Sequence, residues 1–264
     1  MLDLPSPFLI GMVHLPALPG SALHMLSMDE IIERAIADGI TLREAGFGAV
    51  MIENFGDVPF SADRASPTCL ASMAVVADRV RNEVGLPLGV NVLRNDALGA
   101  LGVAAAAGGS FVRVNVHTGV SATDQGMISG RAHDTLAYRK LLGKRIAIFA
   151  DVHVKHATPV SEPDIARAAK DTAYRGLADA LIVSGEATGS AVDCQQLARV
   201  REAVPDRNLL VGSGATAETI GQLLKIADGV IVGTALKSGG DPSNPIDEKT
   251  AREFVESARG RKDA

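Results

Sequence analysis

Eight short runs rich in Val, Ile and Leu recur along this 264-residue chain, each followed by a longer stretch rich in Ala, Glu and Arg. Such alternation is how parallel strands joined by crossover helices read in sequence. The chain is close in length to the roughly 250 residues that eight strand-and-helix units need. It therefore predicts a (β/α)8 TIM barrel, with 1–264 as one domain, since no composition break marks a linker. The expected strands are 8–15, 49–54, 86–93, 111–117, 145–156, 180–185, 208–214 and 229–234. The expected helices are 28–45, 66–84, 95–107, 133–143, 163–175, 193–203, 216–226 and 247–259. A doubly wound open sheet is the competing architecture. The eight-unit count and the absence of a Gly-x-Gly-x-x-Gly after the first strand weigh against it.

Punctuation supports those helix boundaries. Ser27 and Glu30 have capping-box spacing, Ser161 precedes Pro163 at an expected first turn, and Gly46 and Gly176 follow helices as C-caps. Three strand-to-helix connections are long (14–27, 55–65 and 117–132) and rich in Gly, Ser, Pro and Asp, as lids over one end of a barrel would be.

Composition narrows function. With 3% aromatics and no Trp, the core must be built from small aliphatic side chains, which suit strands buried on both faces. The net charge of −5 and the lack of a basic face interleaved with aromatics argue against a nucleic-acid partner. Apolar runs fall well short of the ~20 residues that span a bilayer, and no basic leader opens the chain, so a cytoplasmic protein is expected. Cys69 and Cys194 have neither disulfide-framework nor zinc-site spacing.

Side chains alternate across a strand, so polar residues at every second position share one face. In 145–156 the set Ile146, Ile148, Ala150, Val152 and Val154 is apolar. The other set, Ala147, Phe149, Asp151, His153 and Lys155, turns polar toward its end. In 111–117, Arg113, Asn115 and His117 alternate with Val112, Val114 and Val116. Glu53 and Asn91 close the second and third strands in the same way, and His14 the first. Collecting ionisable groups inside a barrel is costly unless they pair or meet a ligand, and the C-terminal mouth, where barrel enzymes carry their chemistry, supplies a reason. A structural ion-pair network is the alternative.

The expected anion site is the pair of glycine-rich ends Gly212-Ser213-Gly214 and Gly233-Thr234. After the last two strands of a barrel such small residues let backbone amides approach a phosphate, and a following helix N-terminus adds free donors. Tight turns alone are the alternative. A phosphate held there would direct the rest of a ligand toward the middle strands. Glu53, Asp151, His153, Lys155 and His14 are then the candidate acids, bases or nucleophiles. Asn91, Arg113, Asn115 and Glu186 are candidates for holding substrate oxygens. Lys155 reads either as a Schiff-base nucleophile or, preferably, as a cation paired with Asp151 or Glu53. No cofactor is firmly implied. A divalent ion on Asp151, His153 and Glu53 stays possible, although that spacing is a weak ligand signature. The 118–124 segment is a candidate closing loop. Oligomerisation is expected only because symmetric pairing is common.

Ile10-Gly11-Met12-Val13-His14-Leu15-Pro16, Glu53-Asn54-Phe55-Gly56-Asp57-Val58-Pro59-Phe60, Asp151-Val152-His153-Val154-Lys155-His156, Gly185-Glu186-Ala187-Thr188-Gly189 and Val211-Gly212-Ser213-Gly214 resemble the BtpA/SgcQ family over almost the whole chain. The resemblance implies a ribulose-phosphate-binding type of barrel. On the BtpA side it implies a role in photosystem I biogenesis, and on the SgcQ side sugar metabolism. Two functions follow as expectations: acid-base chemistry on a small phosphorylated sugar or nucleotide-like substrate, as isomerase, lyase or hydrolase, or a non-catalytic assembly factor that retains an anion site.

Overall fold

The computed structural model describes residues 6–185 and 192–260. Strands run in the order β1 (Phe8–His14), β2 (Ala49–Glu53), β3 (Leu88–Asn91), β4 (Phe111–Val114), β5 (Val120–Thr123), β6 (Gly126–Ser129), β7 (Ala147–Asp151), β8 (Ala157–Pro159), β9 (Ala180–Val183), β10 (Asn208–Val211) and β11 (Gly229–Val232). Eight of them, β1, β2, β3, β4, β7, β9, β10 and β11, pair in parallel and close a barrel when β1 meets β11. This is the (β/α)8 TIM-barrel fold.

The helices α1 (Met28–Ala45), α2 (Pro67–Val84), α3 (Ala97–Ala107), α4 (Ala132–Leu142), α5 (Ile165–Lys170), α6 (Cys194–Ala203), α7 (Ile220–Leu223) and α8 (Glu248–Arg259) lie between barrel strands or follow the last. The Ser27–Glu30 capping box opens α1, and Gly46, at φ 100°, closes it in the left-handed conformation.

Alternation along each strand divides the apolar residues into two layers. Val13, Val50, Ile52, Val90, Val112, Val114, Ile148 and Ala150 pack outward in the cluster shared with the helices. Ile10, Met12, Met51, Phe111, Phe149, Ile182, Leu210 and Ile231 fill the barrel interior. Phe111 and Phe149 stack there with ring centroids 4.8 Å apart. Gly89 makes room for them, because a Cβ at that position would lie 2.3 Å from the Phe111 ring. The barrel below its mouth is thus solid.

The structure corrects several expected boundaries. The long strand 145–156 ends at Asp151, and both His153 and His156 adopt positive φ as the chain leaves the barrel. The loop 117–132 carries the hairpin β5–β6, which joins β8 in a three-stranded antiparallel sheet ordered β6-β5-β8. Val116, Ile128 and Val154 form a small core of their own beneath it. Residues 163–175 begin helically at the Asp164 cap, not at Pro163, and finish as a π-helical turn over Asp171–Arg175. Gly176 ends that turn with φ −79°, so it needs no glycine-specific backbone. In 216–226 only Ile220–Leu223 is α-helical.

Candidate active site at the barrel mouth

Extending the interior set by one step on each strand gives the residues that floor the mouth. On the first five barrel strands these are His14, Glu53, Asn91, Arg113 and Asp151, each two residues beyond an interior position. On the last three they are Ser184, Gly212 and Gly233. The floor is therefore lopsided, crowded with polar side chains on one half and nearly bare on the other. A cavity of about 220 Å³ reaches from the bare half to the polar one, lined among others by His14, Glu53, Arg113, Lys155, Gly212, Ser213, Gly214, Gly233 and Thr234.

Close packing makes the two floor glycines necessary. A Cβ on Gly212 would lie 2.5 Å from Ser184 Oγ, and one on Gly233 would lie 2.8 Å from His14 Cε1. Beyond them, the backbone amides of Ser213, Gly214 and Ala215 donate to no acceptor among the described residues. Ser213 Oγ and His14 Nδ1 are buried without a hydrogen-bond partner there. Unpaired donors and acceptors at one cavity are what an anionic, hydrogen-bonding ligand satisfies. The expected helix N-terminus contributes nothing, since α7 starts well past Ala215 and has four residues.

The polar half holds two hydrogen-bonded groups, one on Asp151 and one on Glu53. Arg113 donates from Nε to Asp151 Oδ2 at 2.9 Å and from Nη2 to Asp151 Oδ1 at 2.8 Å, with both side chains buried. Asn115 Nδ2 adds a third bond to that carboxylate at 3.1 Å. Asn91 Nδ2 donates to Glu53 Oε2 at 2.5 Å. Burial raises the Glu53 pKa, but His14, Lys155, Arg113 and the Asn91 amide outweigh it and leave it below the usual value. His14 stacks on Phe55 at 4.5 Å between centroids, and burial lowers its pKa to about 4, against the pull of Glu53. It is a neutral imidazole at pH 7. Burial also lowers the Lys155 pKa, with Arg113 and Arg94 adding to it and Glu53 opposing.

The sequence candidates therefore separate. His14, Glu53, Arg113 and Lys155 share one cavity with the glycine ends. Asn91, Asn115 and Asp151 sit behind them and fix Glu53 and Arg113. His153 does not join the group: its Nε2 meets the Glu162 carbonyl at 2.9 Å, because the chain has already turned away toward β8. His117 is likewise turned aside, its Nε2 on the Gly176 carbonyl at 2.8 Å. The preferred pairing of Lys155 with Asp151 or Glu53 is absent, since no carboxylate among the described residues lies within 4 Å of its ammonium and Arg113 takes Asp151. Glu186 lies outside the described residues. No three His, Cys, Asp or Glu side chains among the described residues converge on a point fit for a metal ion, so Asp151, His153 and Glu53 form no such set.

Three contributors were not foreseen. Arg94, buried just past β3, donates from Nη2 to the Lys155 carbonyl at 2.6 Å and fixes that loop. Ser184 approaches both Arg113 and Asp151, at 3.5 and 3.4 Å. Phe55 backs His14. Arg94 and Phe55 follow strand ends, where period-two reasoning stops, and only their place in a strand-to-helix loop signalled them.

Both the sequence and the fold have counterparts among known proteins. Residues 6–260 match the model of the BtpA family. A protein of Thermococcus kodakarensis is 52% identical over 251 residues, covering 95% of each chain. The photosystem I biogenesis protein BtpA of Synechocystis is 44% identical over 247 residues, covering 94% of this chain and 86% of that one. Among solved structures, thiamine phosphate pyrophosphorylase from Pyrococcus furiosus superposes with TM-score 0.61 at 12% identity, covering 97% and 98% of the two chains. Orotidine 5'-phosphate decarboxylase from Pyrococcus horikoshii does so with TM-score 0.58 at 18% identity, covering 95% and 99%. At such identities the structural likeness speaks for the fold.

Proposed function

The chain belongs to the BtpA family, and from the chemistry of its mouth we propose that it is an enzyme acting on a small phosphorylated sugar or nucleotide-like substrate. The phosphate binds the amides of 213–215 and the Gly233-Thr234 turn. The reacting end then lies against Glu53, His14, Lys155 and Arg113. Glu53, ionised and steered by Asn91, is the general base. His14, neutral and with Nδ1 free of protein partners, exchanges protons with substrate oxygens. Arg113, anchored on Asp151, stabilises negative charge that develops on the substrate. Isomerisation, lyase cleavage and hydrolysis all use such a set.

The observation that carries the reading is that one cavity is lined both by glycine-rich turns with free amides and by ionisable groups of shifted pKa. Two of the superposing structures are named for phosphorylated compounds, in keeping with it. The test is a thermal-shift screen against sugar phosphates and nucleotides, with and without divalent metal, followed by turnover assays on each compound that shifts melting. Glu53→Gln should abolish turnover and keep the ligand shift. Silence across the panel removes the proposal.

A non-catalytic biogenesis factor is the second reading, favoured by the name of the Synechocystis relative. No described helix is long and apolar enough to cross a membrane, so such a factor would act on a membrane complex without a helical span in these residues. It predicts phosphate binding without turnover, whereas the enzyme requires both.

A further inference from the structure

We propose that Lys155 captures the substrate covalently, its amine forming an imine with the aldehyde or ketone carbon of a small phosphorylated carbonyl compound. The inference rests on the phosphate-anchored reading above and names its substrate class.

Around the mouth, Arg94 and Arg113 stand against Glu53 and Asp151, two cations to two anions, all four buried. Arg113 occupies both oxygens of Asp151, and Glu53 receives the Asn91 amide. Lys155 is the surplus cation, with neither an ion pair nor a hydrogen bond to its ammonium among the described residues. Its main chain is nevertheless held, through the bond from Arg94 to its carbonyl, and its side chain lines the cavity together with the apolar Met12 and Ile231. Lys237 shows what a structural lysine looks like in this chain: it is buried and ion-paired to Asp38. A half-buried amine fixed at a ligand cavity with no carboxylate in contact suits a nucleophile, because burial and the neighbouring guanidinium charges outweigh the attraction of Glu53 and Asp151 and favour its neutral form. The lowered pKa of Lys155 agrees with that.

The chemistry balances without a co-reactant. The neutral amine attacks the carbonyl carbon, a C–N bond forms, and the carbonyl π electrons move to oxygen, which gains a proton as nitrogen loses one. The nitrogen lone pair then forms C=N while the C–O bond breaks and the hydroxyl leaves as water after a second protonation. Glu53 and His14, on the same cavity wall, are placed to carry those protons. Nothing is oxidised or reduced. The resulting cationic imine draws electrons from the adjacent carbon, the activation that both proton abstraction and carbon–carbon cleavage need.

The test traps the imine. The full chain is incubated with dihydroxyacetone phosphate or glycolaldehyde phosphate, reduced with borohydride, and read by intact mass and peptide mapping. One adduct per chain on the peptide carrying Lys155, lost in Lys155→Met and at least tenfold weaker with unphosphorylated dihydroxyacetone, is expected. Circular dichroism confirms that Lys155→Met folds. The melting shift with inorganic phosphate is measured on the same wild-type sample. A phosphate shift without an adduct, or label spread evenly over surface lysines, overturns the imine and leaves the anion site standing. Absence of both shift and adduct removes both.

Discussion

Arg113 on β4 and Asp151 on β7 share two hydrogen bonds across adjacent strands, at 2.9 and 2.8 Å, with neither side chain open to solvent. A buried pair of this geometry is costly to break and cheap to replace whole, because the penalty comes from stranding one desolvated charge. Asp151→Asn should therefore lower the unfolding free energy by about 3–5 kcal/mol in urea titrations. The double variant Arg113→Met, Asp151→Leu should regain most of that. An Asp151→Asn protein as stable as wild type would mean that the pair contributes nothing to the fold. Asp151 is accordingly read as a support for Arg113, and loss of activity in its variants would be partly a loss of structure.

His14 gives a pH signature. Its pKa falls from 6.5 to about 4 on folding, mainly through burial. Between those values the unfolded chain binds a proton that the folded chain does not, so stability rises with pH across that window. The accumulated difference is about 3 kcal/mol. Below it Glu53, whose pKa is depressed, adds a further loss as it protonates. Unfolding free energies of wild type and His14→Gln, compared from pH 7.5 down to pH 4.5, report the imidazole together with its coupling to Glu53, the other titrating groups being common to both. The wild-type advantage should shrink steadily below pH 6.5. A constant difference across the range would show that His14 titrates normally in the folded chain.

Gly89 and Phe111 make a matched pair inside the barrel. An alanine methyl at 89 would sit 2.3 Å from the Phe111 ring, which is itself stacked on Phe149 and cannot retreat. Gly89→Ala should cost about 1–3 kcal/mol by overpacking. Adding Phe111→Leu should recover part of the loss, giving a positive coupling in a double-mutant cycle. Additive losses would place the strain elsewhere. Asn91, two residues on and held against Glu53, makes this pair relevant to the mouth as well as to the core.

How much of this was legible in sequence follows from where period two holds. Within the strands it holds strictly, so Glu53, Asn91, Arg113 and Asp151 could be assigned to the inner face, and the outward Val112, Val114 and Ile148 to the helix layer. It fails where hydrogen-bonded pairing ends. Past Asp151 the alternation of Val152, His153, Val154 and Lys155 looks like more strand, but Val154 is drawn into the small core under β5 and β6 and His153 turns to the Glu162 carbonyl. Those two short strands escaped notice because four residues such as Val-Ser-Ala-Thr and Gly-Met-Ile-Ser carry too little pattern to separate a hairpin from a polar loop. Arg94 was missed for a related reason, as its partner is a backbone carbonyl sixty-one residues away, which no local spacing announces.

Gly233 links the fold to the proposed anion site most directly. Its added methyl would lie 2.8 Å from His14 Cε1 and 3.0 Å from Met12 Cβ. The Met12 Cβ is fixed by the β1 backbone, and the His14 ring is backed by Phe55, so neither neighbour can yield cheaply. Strain is relieved only by moving the Gly233–Thr234 turn outward or by driving the imidazole into the cavity. Either change spoils the cavity wall. Gly233→Ala should therefore cost about 1–3 kcal/mol of stability and weaken binding of inorganic phosphate, read by calorimetry, by at least about tenfold. Gly143→Ala is the control. That glycine, after α4, has φ 62° and open space around its Cβ, so the substitution carries a backbone penalty of about 1–2 kcal/mol without touching the mouth. It should bind phosphate as wild type does. Equal binding by both variants would show that the anion does not sit against the Gly233 turn, and the assignment of this cavity would have to be abandoned.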